Sequence, residues 1–164
     1  MSRQRTLSLE MRKFEPNDYP RLLEIYNANY PDYARSVGEL RTRDESLDRS
    51  KYYLQRHAFL ESNATVGFGE VSHVTDMFHP HKFWINILVD PTSQGRGIGS
   101  SIYERLNEEL GKLNAIAAWA GSKEDLPRLT QFYQKRGFRG ENEGLGVTTR
   151  RQNYGFDKIP RVPR

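Results

Sequence analysis

The chain has no cysteine. Disulfides, thiolate zinc sites and cysteine nucleophiles are thereby excluded, and the composition fits a reducing compartment. Apolar residues are scarce as well. Only 36% of the sequence is hydrophobic, against roughly 45–50% apolar in an average soluble domain with glycine counted, and the mean hydropathy is -0.81. No run approaches the roughly 18 apolar residues of a membrane span. The longest candidates are Phe83–Val89 and Ala115–Ala120. The charged start of the chain leads into no apolar signal region, so secretion is not expected. Lysine is missing between Lys82 and Lys112, which removes the Gly-x₄-Gly-Lys-Ser/Thr loop of nucleotide triphosphatases from consideration.

What the chain does have is aromatics: 9 Tyr, 8 Phe and 2 Trp in 164 residues. Each buries roughly 150–250 Å², so a lean composition still supports a core of single-domain size. The net charge is +4, and it is concentrated at one end. Residues 135–164 hold 8 basic and 3 acidic side chains, which leaves the rest of the chain slightly acidic. A nucleic-acid-binding body would carry a basic face throughout. The basic C-terminal segment is read as a solvated terminus or a local anion site, with nucleic-acid binding through that tail kept as an alternative.

Leu7–Phe14 alternates and reads as a strand. Asp18 is placed to cap a helix with Pro20 in its first turn and Leu22, Leu23 and Ile25 on its inner face. Tyr30–Ser50 is polar, either loop or a short helix around Glu39–Arg49. Lys51–Glu61 and Thr65–Val74 are extended runs joined by Ser62-Asn63, a hairpin pattern. Phe83–Val89 is the strongest strand, and Pro91 ends it. Ile98, Ile102, Leu106, Leu110 and Leu113 then recur at helical spacing. Ala115–Ala120 reads as a buried strand. Asp125 and Pro127 open a last helix with Leu126, Leu129, Phe132 and Tyr133 inside, and Gly137 closes it as a left-handed cap. Strands and helices mixed in this order indicate an α/β or α+β domain with one sheet.

Gly95, Gly97 and Gly99 fall between a strand and a helix start. A helix N-terminus presents unpaired N–H groups and partial positive charge, and glycine lets an anion approach the backbone. Read alone, the segment is either a phosphate cradle or a glycine-rich turn. A dinucleotide fingerprint fails, because Ser100 stands where its last glycine belongs and no acid follows at the right distance.

Ile87–Ser101 resembles motif A of the GNAT superfamily of N-acetyltransferases, with Gln94-x-x-Gly97-x-Gly99 matching the family's Gln/Arg-x-x-Gly-x-Gly/Ala. Phe132-Tyr-Gln-Lys-Arg-Gly-Phe138 resembles motif B. The resemblance covers residues 7–139. It implies a GNAT fold, with a mixed sheet of about six or seven strands, about four helices, and central strands that splay. Residues 1–140 would be the acetyltransferase domain and 141–164 a basic segment, either a last strand or partly disordered. It further implies acetyl-CoA as co-substrate and no metal. The pyrophosphate would sit on the backbone of Gly95, Arg96, Gly97, Ile98, Gly99 and Ser100, with Gln94 and Arg96 in support and the pantetheine arm along Leu88 and Val89. Tyr133 would protonate the departing thiolate, a task suited to a phenol.

Three departures from the family pattern stand out. Asn86 occupies the place of a frequent Glu base and accepts no proton at neutral pH. Glu70 and Asp76 are substitutes, with His73, His79 and His81 nearby; histidine titrates in the right range. Leu126 replaces an Asn that holds the pantetheine. Residues 139–164 offer one strand, Leu145–Arg150, where the family needs two. An edge left open in this way suggests a homodimer, or a chain resembling one half of a tandem protein. Tyr26, Tyr30, Tyr33, Tyr52 and Tyr53 with Glu39, Asp44 and Glu45 would receive a cationic amine, of a small molecule or a peptide. The resemblance thus implies a cytoplasmic N-acetyltransferase without nucleic-acid or membrane partners. Its alternative is a GNAT-fold domain that binds CoA without turnover.

Overall fold

In the computed structural model of the chain, residues 8–122, 127–140 and 147–152 are described. The elements are β1 (Glu10–Lys13), α1 (Tyr19–Asn29), α2 (Val37–Glu45), β2 (Leu54–Glu61), β3 (Ala64–Ser72), β4 (Lys82–Val89), α3 (Ile98–Lys112), β5 (Ala117–Ser122), α4 (Pro127–Gln134), β6 (Arg139–Gly140) and β7 (Val147–Gln152). The strands follow one another in the sheet as β1-β2-β3-β4-β5-β7-β6. β1 pairs with β2 antiparallel and β4 with β5 parallel, so the sheet is mixed. Seven strands and four α-helices among the described residues match the fold class expected from the sequence.

The described residues pack as two compact units. The first comprises residues 8–51, 55–69 and 87–104. Leu22, Leu23 and Ile25 of α1 are buried in it. Asp18 occupies the N-cap position of α1, yet its side chain makes no cap bond. Arg12 holds the carboxylate with two bonds of 2.7 Å, and the Glu15 N–H donates to it at 2.8 Å. The expected cap is therefore an ion-pair anchor, because a bidentate guanidinium outweighs a single neutral N–H. The undecided segment around Glu39 is helical. Ser36 caps α2 by accepting the Glu39 N–H at 3.1 Å. Ser62 and Asn63 both take positive φ, 50° and 66°, the two-residue turn whose twist suits a hairpin.

Gly67 on β3 stands at a close approach in this unit. A Cβ there would lie 2.7 Å from the Leu88 carbonyl and 2.9 Å from Ile102 Cδ1. Only a residue without a side chain lets β3, β4 and α3 meet this tightly.

The second unit comprises residues 52–54 and 70–86 with the described residues from 105 onward. Phe83, Ile85, Leu106 and Leu110 are buried in it. The β4–β5 register runs from Lys82↔Ala117 to Ile85↔Ala120 and ends there, although β4 continues to Val89 and β5 to Ser122. α4 closes as the sequence suggested: Gly137 has φ +88°. The Phe138 N–H bonds to the Tyr133 carbonyl and the Gly137 N–H to that of Gln134, the paired bonds of a glycine-terminated helix. Asp125 and Leu126 lie outside the described residues, as does Leu145.

Val147–Gln152 forms the strand expected near Leu145–Arg150 and pairs with β5 antiparallel. The sequence left the chain one strand short. That strand is β6, which follows directly on Phe138 and pairs with β7 at Arg139↔Arg150 and Gly140↔Thr149. Two residues carry no alternation, so periodicity could not reveal it.

Candidate functional site

β4 ends at Val89, and the turn after it is held from several directions. The Asp90 N–H donates to the Val66 carbonyl at 2.8 Å. One Asp90 carboxylate oxygen accepts the Thr92 N–H and hydroxyl, both at 3.0 Å. The other meets the Arg21 guanidinium. Arg21 also donates to the Thr65 carbonyl through two nitrogens and to Glu24. Desolvation pushes the Asp90 carboxyl up, but the bonds from Thr92 and Arg21 outweigh it and hold the carboxyl below its ordinary value. The charged turn thus ties α1 and β3 to the strand end that precedes the glycines.

Gly95 and Gly97 have φ of +80° and +84°. Space does not demand glycine at 95, since a Cβ there would meet nothing within 4 Å. Backbone conformation does, and the surroundings of Gly95 are open. α3 begins immediately afterwards with Ile98, which is buried. Gln94 through Gly97 are exposed, and Gly99 and Ser100 are half-buried. A left-handed turn opening onto a helix N-terminus is the geometry that receives a phosphate group on backbone N–H donors. The residues present therefore fit a pyrophosphate.

The two side chains expected to support the phosphates make protein contacts. Gln94 Nε2 donates to Asn29 Oδ1 at 3.0 Å and to the Val89 carbonyl at 3.2 Å. Arg96 Nη2 lies 2.7 Å from Glu61 Oε2. Leu88 is buried. The Val89 carbonyl accepts a second bond, from Asn29 Nδ2 at 3.0 Å. Asn29, Glu61 and Arg21 were not found by sequence reasoning. They stand 35 or more positions from Gln94, Arg96 and Asp90, the site residues they hold, and nothing local marks them.

In the second unit, Asn86 is half-buried on β4, one residue beyond the last β4–β5 pair. Glu70 is half-buried on β3. Tyr133 is 1% exposed, with its ring centroid 5.3 Å from Phe132 and 5.1 Å from Phe138.

The histidines divide by role. His73 stacks on Phe83 at 4.6 Å. Its Nδ1 accepts the Tyr53 N–H at 2.8 Å, and its Nε2 lies 3.2 Å from the Pro80 carbonyl. Both nitrogens serve the backbone, so His73 is a structural pin rather than a base. His79 Nδ1 accepts the His81 N–H at 3.0 Å. Burial, then the charges of Lys82, His81 and His73, lowers the His79 pKa. His81 Nδ1 lies 3.3 Å from the Leu113 carbonyl. Asp76 is exposed.

The residues expected to receive an amine are partly committed elsewhere. Asp44 is buried; its carboxylate takes the Tyr19 hydroxyl at 2.6 Å and Arg56 at 2.9 Å. Burial, then the Asp44 acceptor, pushes the Tyr19 hydroxyl up to about 12. The Tyr53 hydroxyl donates to Glu109 at 2.6 Å. Tyr26 and Tyr30 pack at 5.0 Å with the Arg35 guanidinium over Tyr26, and Tyr33 is 59% exposed. Among the described residues, no three His, Cys, Asp or Glu side chains are grouped to hold a metal ion. No helix among them is long and apolar enough to cross a membrane.

Comparison with known proteins bears on the family and the fold. Residues 19–138 match the Acetyltransferase (GNAT) family. No protein of curated function matches the sequence significantly. Among solved structures, the chain is similar to a ribosomal-protein-alanine N-acetyltransferase from Brucella melitensis, with TM-score 0.71, 16% identity and coverage of 87% of this chain and 99% of that one. It is similar to the PaiA N-acetyltransferase of Thermoplasma acidophilum in complex with coenzyme A, with TM-score 0.66, 16% identity and coverage of 88% and 99%. A spermidine N-acetyltransferase chimera from Vibrio cholerae and hSSAT superposes with TM-score 0.71 at 15% identity, covering 90% of this chain and 97% of that one. At these identities the likeness is one of fold.

Proposed function

Because the chain belongs to the GNAT acetyltransferase family, we propose that it moves an acetyl group from acetyl-CoA to a primary amine by direct attack. The observation that carries this reading is the turn at Gly95 and Gly97. It is left-handed twice, open above Gly95 and continuous with the start of α3. Two of the similar folds, the PaiA protein and a Salmonella typhimurium protein, are solved with coenzyme A and acetyl-CoA respectively.

Acetyl-CoA supplies a thioester whose carbonyl carbon accepts the amine nitrogen as the C–S bond breaks. The backbone from Gly95 to Ser100 binds the pyrophosphate, and Leu88 and Val89 border the pantetheine. Arg96 exchanges Glu61 for a phosphate oxygen. Tyr133 donates its hydroxyl proton to the departing sulfur. Glu70, directly or through water, takes the amine proton, while the Asn86 carboxamide contributes hydrogen bonds only. The acceptor is a small-molecule or peptide amine. Residues 1–140 carry the proposed catalytic and binding residues, and 141–164 add strand β7 to the same sheet together with a basic extension. The absence of cysteine supports a cytoplasmic setting, and a homodimer is the proposed assembly.

A second reading is CoA binding without turnover, favoured by Asn86 at the place of a base. Calorimetric titration with acetyl-CoA tests the first step. Wild-type binding that disappears in Gly97→Glu supports the cradle, because the substitution adds a negative charge and an L side chain at φ +84°. A folded wild-type chain that does not bind refutes both readings. Where binding holds, Tyr133→Phe separates them. Loss of roughly 10²–10⁴-fold in kcat at unchanged affinity supports transfer with Tyr133 as acid. A wild-type chain that binds but transfers to no amine in a broad panel supports the idle reading.

A further inference from the structure

We propose that Asn29 is a positioning residue of the cofactor site, and that Gln94 serves that site as its partner in a pin rather than as a phosphate ligand. The inference rests on the proposed acetyl-CoA reading.

A glutamine amide has two N–H donors. Gln94 Nε2 directs them at Asn29 Oδ1, 3.0 Å away, and at the Val89 carbonyl, 3.2 Å away. What remains is the Gln94 Oε1 acceptor. A pyrophosphate at neutral pH offers oxygen acceptors, so an amide spent in this way has no hydrogen bond to give it. The support that Gln94 lends is the shape of the turn it opens.

Asn29 completes the pin. Its Nδ2 donates to the same Val89 carbonyl at 3.0 Å and to the Ile25 carbonyl at 2.9 Å. Its Oδ1 accepts from Gln94. Every donor and the acceptor of the Asn29 amide is therefore engaged. The bond to Ile25 is one turn back along α1, so it ties the side chain to its own helix. Asn29 is half-buried and Gln94 exposed. The half-buried residue thus holds the exposed one, joining the end of α1, the end of β4 and the residue before Gly95. Asp at this position would lack both donors, and an aliphatic residue would lack the acceptor as well.

An exposed side chain left unpinned must be ordered, with its turn, when the cofactor binds. Asn29→Ala is therefore expected to raise the acetyl-CoA Kd and KM roughly ten-fold, the effect of about one hydrogen bond's worth of organisation, with kcat unchanged. Gln94→Ala is expected to match it. The double variant is expected to stay within about two-fold of either single one, since each breaks the same pin. A merely structural Asn29 would lower the melting temperature of the cofactor-free chain and leave Kd in place, which would overturn the proposal. So would additive losses, or a Gln94→Ala loss that Asn29→Ala does not share. A wild-type chain that fails to bind acetyl-CoA removes the inference together with the function it rests on. Should Asn29→Ala not fold, the wild-type chain still decides by NMR. Gln94 side-chain amide protons that exchange slowly and keep their shifts on saturation with acetyl-CoA support the pin. Protons that exchange freely, or shift as at a phosphate contact, overturn it.

Discussion

Arg96, which stands between the two left-handed glycines of the turn, is paired with Glu61 at the end of β2 at 2.7 Å. The one cation in the loop is thus held by an acidic side chain of the protein itself. Their side chains are 47% and 26% exposed. Exposed pairs of this kind contribute about 0–1 kcal/mol, little enough for a phosphate to displace the carboxylate.

Glu61→Gln is accordingly expected to leave the melting temperature nearly unchanged and to tighten acetyl-CoA binding two- to five-fold at low ionic strength, a gain that fades as salt screens the released guanidinium. Titration calorimetry at two salt concentrations measures both. Unchanged affinity at low salt would mean that Arg96 never leaves Glu61 for the cofactor.

Gly67→Ala is expected to destabilise the chain although it adds only a methyl group. The added carbon would meet the Leu88 carbonyl at 2.7 Å and Ile102 Cδ1 at 2.9 Å. The first neighbour is backbone and cannot swing aside. Overpacking of this kind costs about 1–3 kcal/mol, which in a chain of this size lowers Tm by about 2–4 °C per kcal/mol. Urea unfolding checks the expectation. A variant as stable as wild type would show that β3 and α3 separate readily.

Two carboxyls should drive the pH dependence of stability in opposite directions. Burial raises the Glu109 pKa above its ordinary 4.5, against smaller opposing effects from the Tyr53 hydroxyl and Lys112. Its second oxygen is buried without a hydrogen-bond partner. The folded chain then keeps this proton where the unfolded chain has lost it, so stability falls as pH rises from about 4.5 through the raised value. Glu109→Gln keeps an acceptor for Tyr53 and removes the charge. It should therefore stabilise the chain at pH 7 more than at pH 4. Asp18 is lowered from 3.8 chiefly by its bonds with Arg12. Its contribution is complete above that value and disappears as pH falls through the folded pKa, so Asp18→Asn should cost most at neutral pH. Denaturant titrations decide, of the Glu109 variant at pH 4 and 7 and of the Asp18 variant at pH 2.5 and 7, the lower pH in each case lying below the unfolded value. A Glu109→Gln gain that does not grow with pH would count against the buried charge.

Several side chains that the sequence offered as chemistry turn out to be occupied in holding the fold. Asp44 was a candidate for binding a cationic amine, and Arg56 with Tyr19 takes its carboxylate. His73 was a candidate base, and both its nitrogens bind backbone. Asp18 was a helix cap, and Arg12 holds it. Each was sound as residue chemistry. The competing partner in each case comes from another element, and no pattern along the chain reports which of two polar groups will reach it first.

The hairpin turn at Ser62-Asn63, the apolar face of α3, the glycine turn before it and the cap at Gly137 were all legible in the residues, because each is settled by neighbours within a few positions. Left-handed backbone favours glycine and asparagine, and helical spacing repeats every 3.6 residues whatever lies opposite. The family followed from two such local patterns in order. Tertiary structure alone decided that Asn29 would pin Gln94, that Glu61 would hold Arg96, and that Arg21 would clamp Asp90. These are bonds between groups 35 to 69 positions apart. At that separation only the path of the chain determines which donor meets which acceptor, and the site's fine geometry depends on those meetings.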